Sequence, residues 1–192
     1  ELAYRLEKKQ HGNPSGVDNT VVTYGGFLWY RKENENLKIF KRIEAKVKLP
    51  KIMLLNTGKP FETTKEMVAM VGERHLLKRK STENIFRNIE GVTKNFLDFF
   101  LGGGENFGDL VNDNEKLLEE LGVVSKSAME MIRIIEKAGG RAKITGAGGK
   151  REGSGMAIVY HKDIEKLILI GKKYGFIFKP VKIGEEGVRI EK

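Results

Sequence analysis

The stretch AKITGAGGKREGSGMAIVY (142–160) sets the fold class of this chain. AKIT (142–145) and MAIVY (156–160) read as short strands on either side of a glycine-rich loop. Upstream, SKSAMEMIRIIEKAGG (125–140) places Ala128, Met131, Ile132 and Ile135 at i, i+3, i+4, i+7, a helical stripe that Ser125 can cap. Downstream, KDIEKLILIGKKYG (162–175) reads as a helix and FIFKPVKIGEEGVRIE (176–191) as the final strands.

Further upstream the order continues. KIMLLNTG (51–58) is a short buried strand ending in a glycine turn. ETTKEMVAMVGERHLL (62–77) follows as a helix, with Thr63 and Glu66 spaced as a capping box. IFRNIEGVTKNFLDFFLGGG (85–104) continues the helical pattern to a triple glycine, and FGDLVNDNEKLLEELG (107–122) ends at Gly122. A strand, several helices, two strands, a helix and a last strand is the order of a split-βαβ, ferredoxin-like α+β fold with an antiparallel sheet.

Before Pro50 the texture differs. Residues 1–10 read as the last turns of a helix, with Leu2, Ala3 and Leu6 on one side. HGNPSGVDNTVVTYGG (11–26) opens as turn chemistry and passes into β-branched and aromatic residues. That change predicts a strand over 20–30, bent at Gly25-Gly26, and a second strand from Leu37 running into a linker at Pro50.

With 192 residues, 40% hydrophobic and 32% charged, the chain has the composition of a soluble globular protein, and no apolar run is long enough for a membrane helix. It has no cysteine, which excludes disulfide and thiolate chemistry and fits a reducing, cytoplasmic setting. It opens on Glu1 without Met, which suggests a fragment, a processed chain or an expressed portion. The net charge of +9 favours anionic partners such as nucleotides or phosphorylated metabolites, or else marks a lysine- and glutamate-rich solvated surface.

Several residues are candidates for chemistry, each beside a plainer reading. The 146–155 loop offers backbone N–H groups for an anion, or is a hairpin loop. It is not a Walker loop, since Ile144 and Arg151 stand where Gly and Ser or Thr are required, and Arg151 also breaks a dinucleotide fingerprint starting at Gly146. Asp18 is a turn or cap acid, or a base that orients a hydroxyl for attack on phosphorus. Glu7 is an exposed helical acid or an oxygen ligand for a cation. Thr63 is a cap, or part of an anion site at a helix start. His75 and His161 have no companions at metal-ligand spacing.

Two of these stretches together resemble a known family. HGNPSGVDNTVVTYGG resembles the substrate-loop motif of the mevalonate kinases, members of the GHMP family of small-molecule kinases. KITGAGG (143–149) resembles that family's third, glycine-rich motif, and LVNDNEKLLEELGVVSKSAMEMIRIIEKAGG (110–140) resembles the helices before it. The resemblance implies an ATP- and Mg2+-dependent kinase acting on the C5 hydroxyl of mevalonate. Asp18 would contact and deprotonate that hydroxyl, and Glu7 would coordinate the ATP-bound magnesium. Ser15, Gly16 and Tyr24 would shape the mevalonate pocket, with Thr63 on its far side. Gly146, Ala147, Gly148 and Gly149 would border the transferred phosphate.

The chain departs from the family pattern in two ways. KREGS (150–154) replaces the small residues that usually follow GAGG, leaving Lys150 and Arg151 near the phosphates or in solvent. The family's N-terminal lysine and ATP-loop motifs are absent. The resemblance therefore implies the tail of an N-terminal kinase domain over 1–49 and a C-terminal GHMP kinase domain over 50–192. The isolated chain is then expected to be inactive, its partner being the missing N-terminal half, with a homodimer possible. Nucleic acid and membrane are not expected partners. The rival readings are another GHMP kinase, for phosphomevalonate or homoserine, and a non-catalytic basic α+β binding module. HGNPSGVDN argues against the first. The second lacks aromatic-basic stacking on any strand.

Overall fold

A computed structural model describes residues 4–5, 15–34 and 37–189. The chain folds as two compact units. One takes the described residues of 1–49, Phe100–Gly103 and those from Lys182 onward; the other is Pro50–Phe99 with Gly104–Val181. The expected 50–192 domain thus differs at its end, because the segment after Val181 packs with the first unit.

The first unit opens with helix α1 (Val17–Tyr24), followed by a hairpin of β1 (Phe27–Lys32) and β2 (Lys38–Ile43), antiparallel with Tyr30 opposite Phe40. The strand predicted over 20–30 is therefore a helix as far as Tyr24, and only its second half is a strand. The cause is local. Gly16 at φ +83° starts the helix, and its carbonyl accepts both the N–H of Thr20, at 3.3 Å, and the Thr20 hydroxyl, at 2.5 Å. Thr23 bonds back to the Asn19 carbonyl in the same way, at 2.6 Å. These i−4 bonds give threonine a place in a helix that its β propensity does not anticipate. Gly25 and Gly26, both at φ +67°, end the helix instead of bending a strand. The final segment closes on that end: Gly26 N–H donates to Glu185 O at 2.7 Å, and Val188 N–H to Val22 O and Thr23 O at 3.2 Å. One isolated bridge, Gly25 to Glu186, is all the strand character found after Val181 among the described residues.

The second unit is built on a four-stranded antiparallel sheet of β3 (Ile52–Asn56), β4 (Arg141–Ile144), β5 (Met156–Tyr160) and β6 (Phe178–Val181), in the order β4-β5-β3-β6. With α2 (Thr64–Leu77), α3 (Arg79–Phe100), α4 (Phe107–Leu121) and α5 (Lys126–Lys137) between β3 and β4, and α6 (Ile164–Tyr174) between β5 and β6, this is the expected split-βαβ topology. The helices start and stop where the sequence indicates. Thr63 and Glu66 form a reciprocal capping box, Ser125 accepts from Ala128 N–H, and Gly122 closes α4 at φ +86°. The stripe of α5 buries Ala128, Ile132 and Ile135 completely against Leu55, Ile144 and Val159 of the sheet. No helix among the described residues is long and apolar enough to cross a membrane.

Candidate active site

In the first unit, Ser15 and Gly16 lead into α1. The Tyr30 hydroxyl donates to Ser15 O at 2.7 Å, and the Ser15 hydroxyl accepts from Val17 N–H at 3.3 Å. A Cβ added at Gly16 would meet Lys38 Nζ at 2.8 Å and the Tyr30 hydroxyl at 2.9 Å. Gly16 is thus favoured by its backbone conformation, with two movable side-chain tips over it. Asp18 stands in the first turn of α1, exposed, where a helix N-terminus favours negative charge. Tyr24 ends the same helix, about 9 Å further along its axis by helical rise, with its ring 4.7 Å from that of Phe40. The structure therefore groups Ser15, Gly16 and Asp18 and sets Tyr24 at the opposite end. Glu7 and His11 lie outside the described residues.

Tyr30 and Lys38 were not singled out in the sequence. Both sit on the hairpin, and only its register brings them to Gly16. Lys38 Nζ also lies 2.9 Å from the centroid of the Tyr4 ring, a cation–π placement.

In the second unit, the loop after β4 is interlocked with two neighbouring connections. Gly149 N–H donates to Val123 O at 3.0 Å, Gly155 N–H to Gly58 O at 2.9 Å, and Lys150 N–H to Glu62 Oε2 at 3.0 Å. Three buried hydroxyls knit these segments. Thr57 accepts from Ser154 N–H at 3.0 Å, Ser154 donates to the Ser125 hydroxyl at 3.1 Å, and Ser125 N–H donates to Ser154 at 2.9 Å. A Cβ at Gly148 or Gly153 would run into the backbone of Val123 or Gly58. The sequence signal for this lock was weak: small hydroxyl residues at element ends, of which Ser125 alone stood out, as a cap.

One part of the loop is left open. The N–H groups of Gly146 and Ala147 make no hydrogen bond among the described residues, while Gly148, at φ +79° like Gly146 at φ +77°, is buried behind the turn they form. Successive unpaired N–H groups in such a turn form an anion-binding concavity. Thr63 caps α2 and is engaged there: its hydroxyl donates to Glu66 Oε2 at 2.8 Å and accepts from Glu66 N–H at 3.3 Å.

Lys150 and Arg151 are both exposed. Arg151 is occupied, with Nε 3.6 Å from Glu62 Oε1 and its guanidinium 4.6 Å from the centroid of the Phe61 ring. The Lys150 N–H, helped by Arg151, holds the Glu62 carboxyl below the usual carboxylate range. Among the described residues no group of three His, Cys, Asp or Glu side chains is placed to hold a metal ion. His161 is spoken for by the fold: its Nδ1 accepts from Asp163 N–H at 2.8 Å, and its Nε2 lies 3.0 Å from Ala138 O.

Solved structures share this fold. The mevalonate kinase of L. major, solved with R-mevalonate, superposes with a TM-score of 0.76 over 92% of this chain and 55% of that one, at 23% identity. Relatives found by sequence are more specific. The mevalonate kinases of Thermococcus onnurineus and Archaeoglobus fulgidus are 33% and 32% identical over the whole chain. The chain belongs to the mevalonate kinase family. It spans little more than half the length of these relatives, 56% and 58%. No family model matches it.

Proposed function

We propose that this chain is the C-terminal portion of an ATP-dependent mevalonate kinase, which phosphorylates the C5 hydroxyl of mevalonate to 5-phosphomevalonate for isoprenoid biosynthesis in the cytoplasm. The observation that carries the reading is similarity to mevalonate kinases along the whole chain. In this reading 1–49 is the tail of an N-terminal kinase domain, and the chain from residue 50 is the C-terminal domain as far as Val181, after which it packs with the first unit.

Asp18 takes the proton from the C5 hydroxyl as its oxygen attacks the γ-phosphorus and ADP leaves. Its exposed position in the first turn of α1 leaves the carboxylate accessible to a substrate. Ser15 and Gly16 line the mevalonate pocket, and Tyr24 and Thr63 are further substrate-binding residues in this reading. The open N–H groups of Gly146 and Ala147, with Gly148 and Gly149 behind them, stabilise charge on the transferred phosphoryl group, a role that costs no reorganisation in a pre-formed loop.

Magnesium, held with Glu7, would neutralise phosphate charge. The described residues do not make a metal site by themselves. The N-terminal half of the same kinase is the required partner, and the chain alone is inactive. A homodimer fits this reading as well.

The test is to co-produce the chain with the missing N-terminal half and measure mevalonate-dependent ADP release, with Asp18→Asn beside it. The expected result is turnover from the pair, none from the chain alone, and a loss of about a thousandfold or more in the variant. A folded pair that binds ATP but ignores mevalonate would move the substrate to another small alcohol, phosphomevalonate or homoserine among them.

A further inference from the structure

β4 is an edge strand, with β5 on one side only. Thr145 turns its N–H to Met156 O of β5, at 2.8 Å. The N–H of Ile144, one residue earlier, therefore points away from the sheet, as antiparallel pairing dictates. No strand lies there to accept it, and Ile144 is buried where α4 and α5 pack on β4. Glu115 Oε2, on α4, accepts that N–H at 2.8 Å. Lys143 Nζ donates to Ile144 O, also at 2.8 Å. Side chains thus grip both polar groups of Ile144, the last residue of β4.

We propose that Glu115 is a positioning residue for the glycine loop: its carboxyl fixes the Ile144 peptide and so sets where the open N–H groups of Gly146 and Ala147 stand. Its bearing on phosphoryl transfer rests on the phosphate-binding reading of that loop. An amide side chain would satisfy an edge N–H equally well, so a fully buried carboxyl asks for a further reason. Its second oxygen, Oε1, has no partner among the described residues. The charged groups facing it are Glu119 on its own helix, Lys143 on β4 and Arg133 on α5. Burial pushes the Glu115 carboxyl up to about 7, with Glu119 adding to the push and the Ile144 N–H, Lys143 and Arg133 opposing it. The carboxyl consequently changes charge near neutrality, and the ionised form holds the Ile144 N–H more strongly than the neutral one. Loop placement then follows pH.

The test is nuclear magnetic resonance on the 192-residue chain, following the Glu115 side-chain carbon and the backbone amides of Ile144–Gly149 from pH 5 to 9. The expected result is that the loop amides shift with the same midpoint as the carboxyl, and that Glu115→Gln abolishes this shared titration. Loop amides that stay still while the carboxyl titrates, or that titrate unchanged in Glu115→Gln, overturn the proposal. Glu115→Leu supplies a second readout, amide exchange. Exchange about tenfold faster at Ile144, Thr145 and Gly149, with Ile132 and Ile135 of α5 unchanged, supports positioning. Equal acceleration everywhere means a purely structural role and overturns it. Tripolyphosphate added to the same samples tests the phosphate reading separately. Loop amides that ignore it sink that reading, while the pH comparison still decides the role of Glu115.

Discussion

At Gly16, an added Cβ would meet the tips of two long side chains, Lys38 and Tyr30; at Gly153 it would meet the backbone of Gly58. The substrate-loop segment is set by short-range bonds: a left-handed glycine, two threonines bonding back one turn, and a double glycine at the far end. The glycine loop of the second unit is set by remote partners, with Val123, Gly58, Glu62 and Ser125 all contributing. The first arrangement can adjust to an intruding group by moving a side chain. The second has only backbone to move.

Substitutions that separate the two kinds of loop should fall in order of size. Gly153→Ala is expected to be the most damaging, costing about 3 kcal/mol or more, because a methyl group cannot enter without parting two backbones. Chemical denaturation of the variant checks this, and a loss under about 1 kcal/mol would show that the loops are not interlocked.

Glu115→Gln comes next, and its effect depends on pH. The folded-state pKa of about 7 lies above the value of 4.5 for an unfolded carboxyl, so the folded chain binds the proton more tightly. The stability this contributes is fully present below about pH 4.5 and is lost as pH rises through about 7, a swing on the order of 3 kcal/mol. Glu115→Gln should remove that slope, so melting curves of the two proteins converge in acid and separate above neutrality. Parallel curves across the range would contradict it.

Gly16→Ala should cost less, about 1–2 kcal/mol, for the left-handed backbone conformation, since Lys38 and Tyr30 can swing aside. A cost matching that of Gly153→Ala would erase the distinction drawn between the loops. Smallest of all is Val22→Ala on α1. Its side chain is 64% exposed, and alanine is the better helix former, so stability should stay within about 0.5 kcal/mol or rise slightly. Helical content by circular dichroism should not fall; a loss would mean that the valine packs on something.

The same contrast explains which parts of the fold the sequence disclosed. α5 was legible because its signals agree: a Ser cap, an apolar stripe at helical spacing, and glycines after the end. The sheet of the second unit followed from short β-rich runs between helices, and its order matches the split-βαβ pattern. α1 was misread because Thr20-Val21-Val22-Thr23 carries strand propensity, whereas the glycine conformations and hydroxyl bonds that overrule it leave little trace in composition. The open N–H groups of the glycine loop fall within the motif that the family resemblance picked out. The hydroxyl lock of Thr57, Ser125 and Ser154 did not announce itself, because its members lie far apart in the chain and no local pattern links them. Glu115 escaped notice for a simpler reason: on α4 it reads as one of several surface acids, and only the strand edge beside it makes it buried.

The closure of the final segment onto the end of α1 has a consequence for synthesis. Gly25 and Gly187 press backbone to backbone, yet the entire second unit is translated between them. During elongation the second unit has all its strands and helices once Val181 has left the ribosome, and it can fold then. The α1 end must wait for residues made after the whole of the second unit. Contacts between such distant parts of a chain form late and slowly. The first unit is therefore expected to reach its finished state after the second, and to be the more dependent of the two on protection from aggregation until it does.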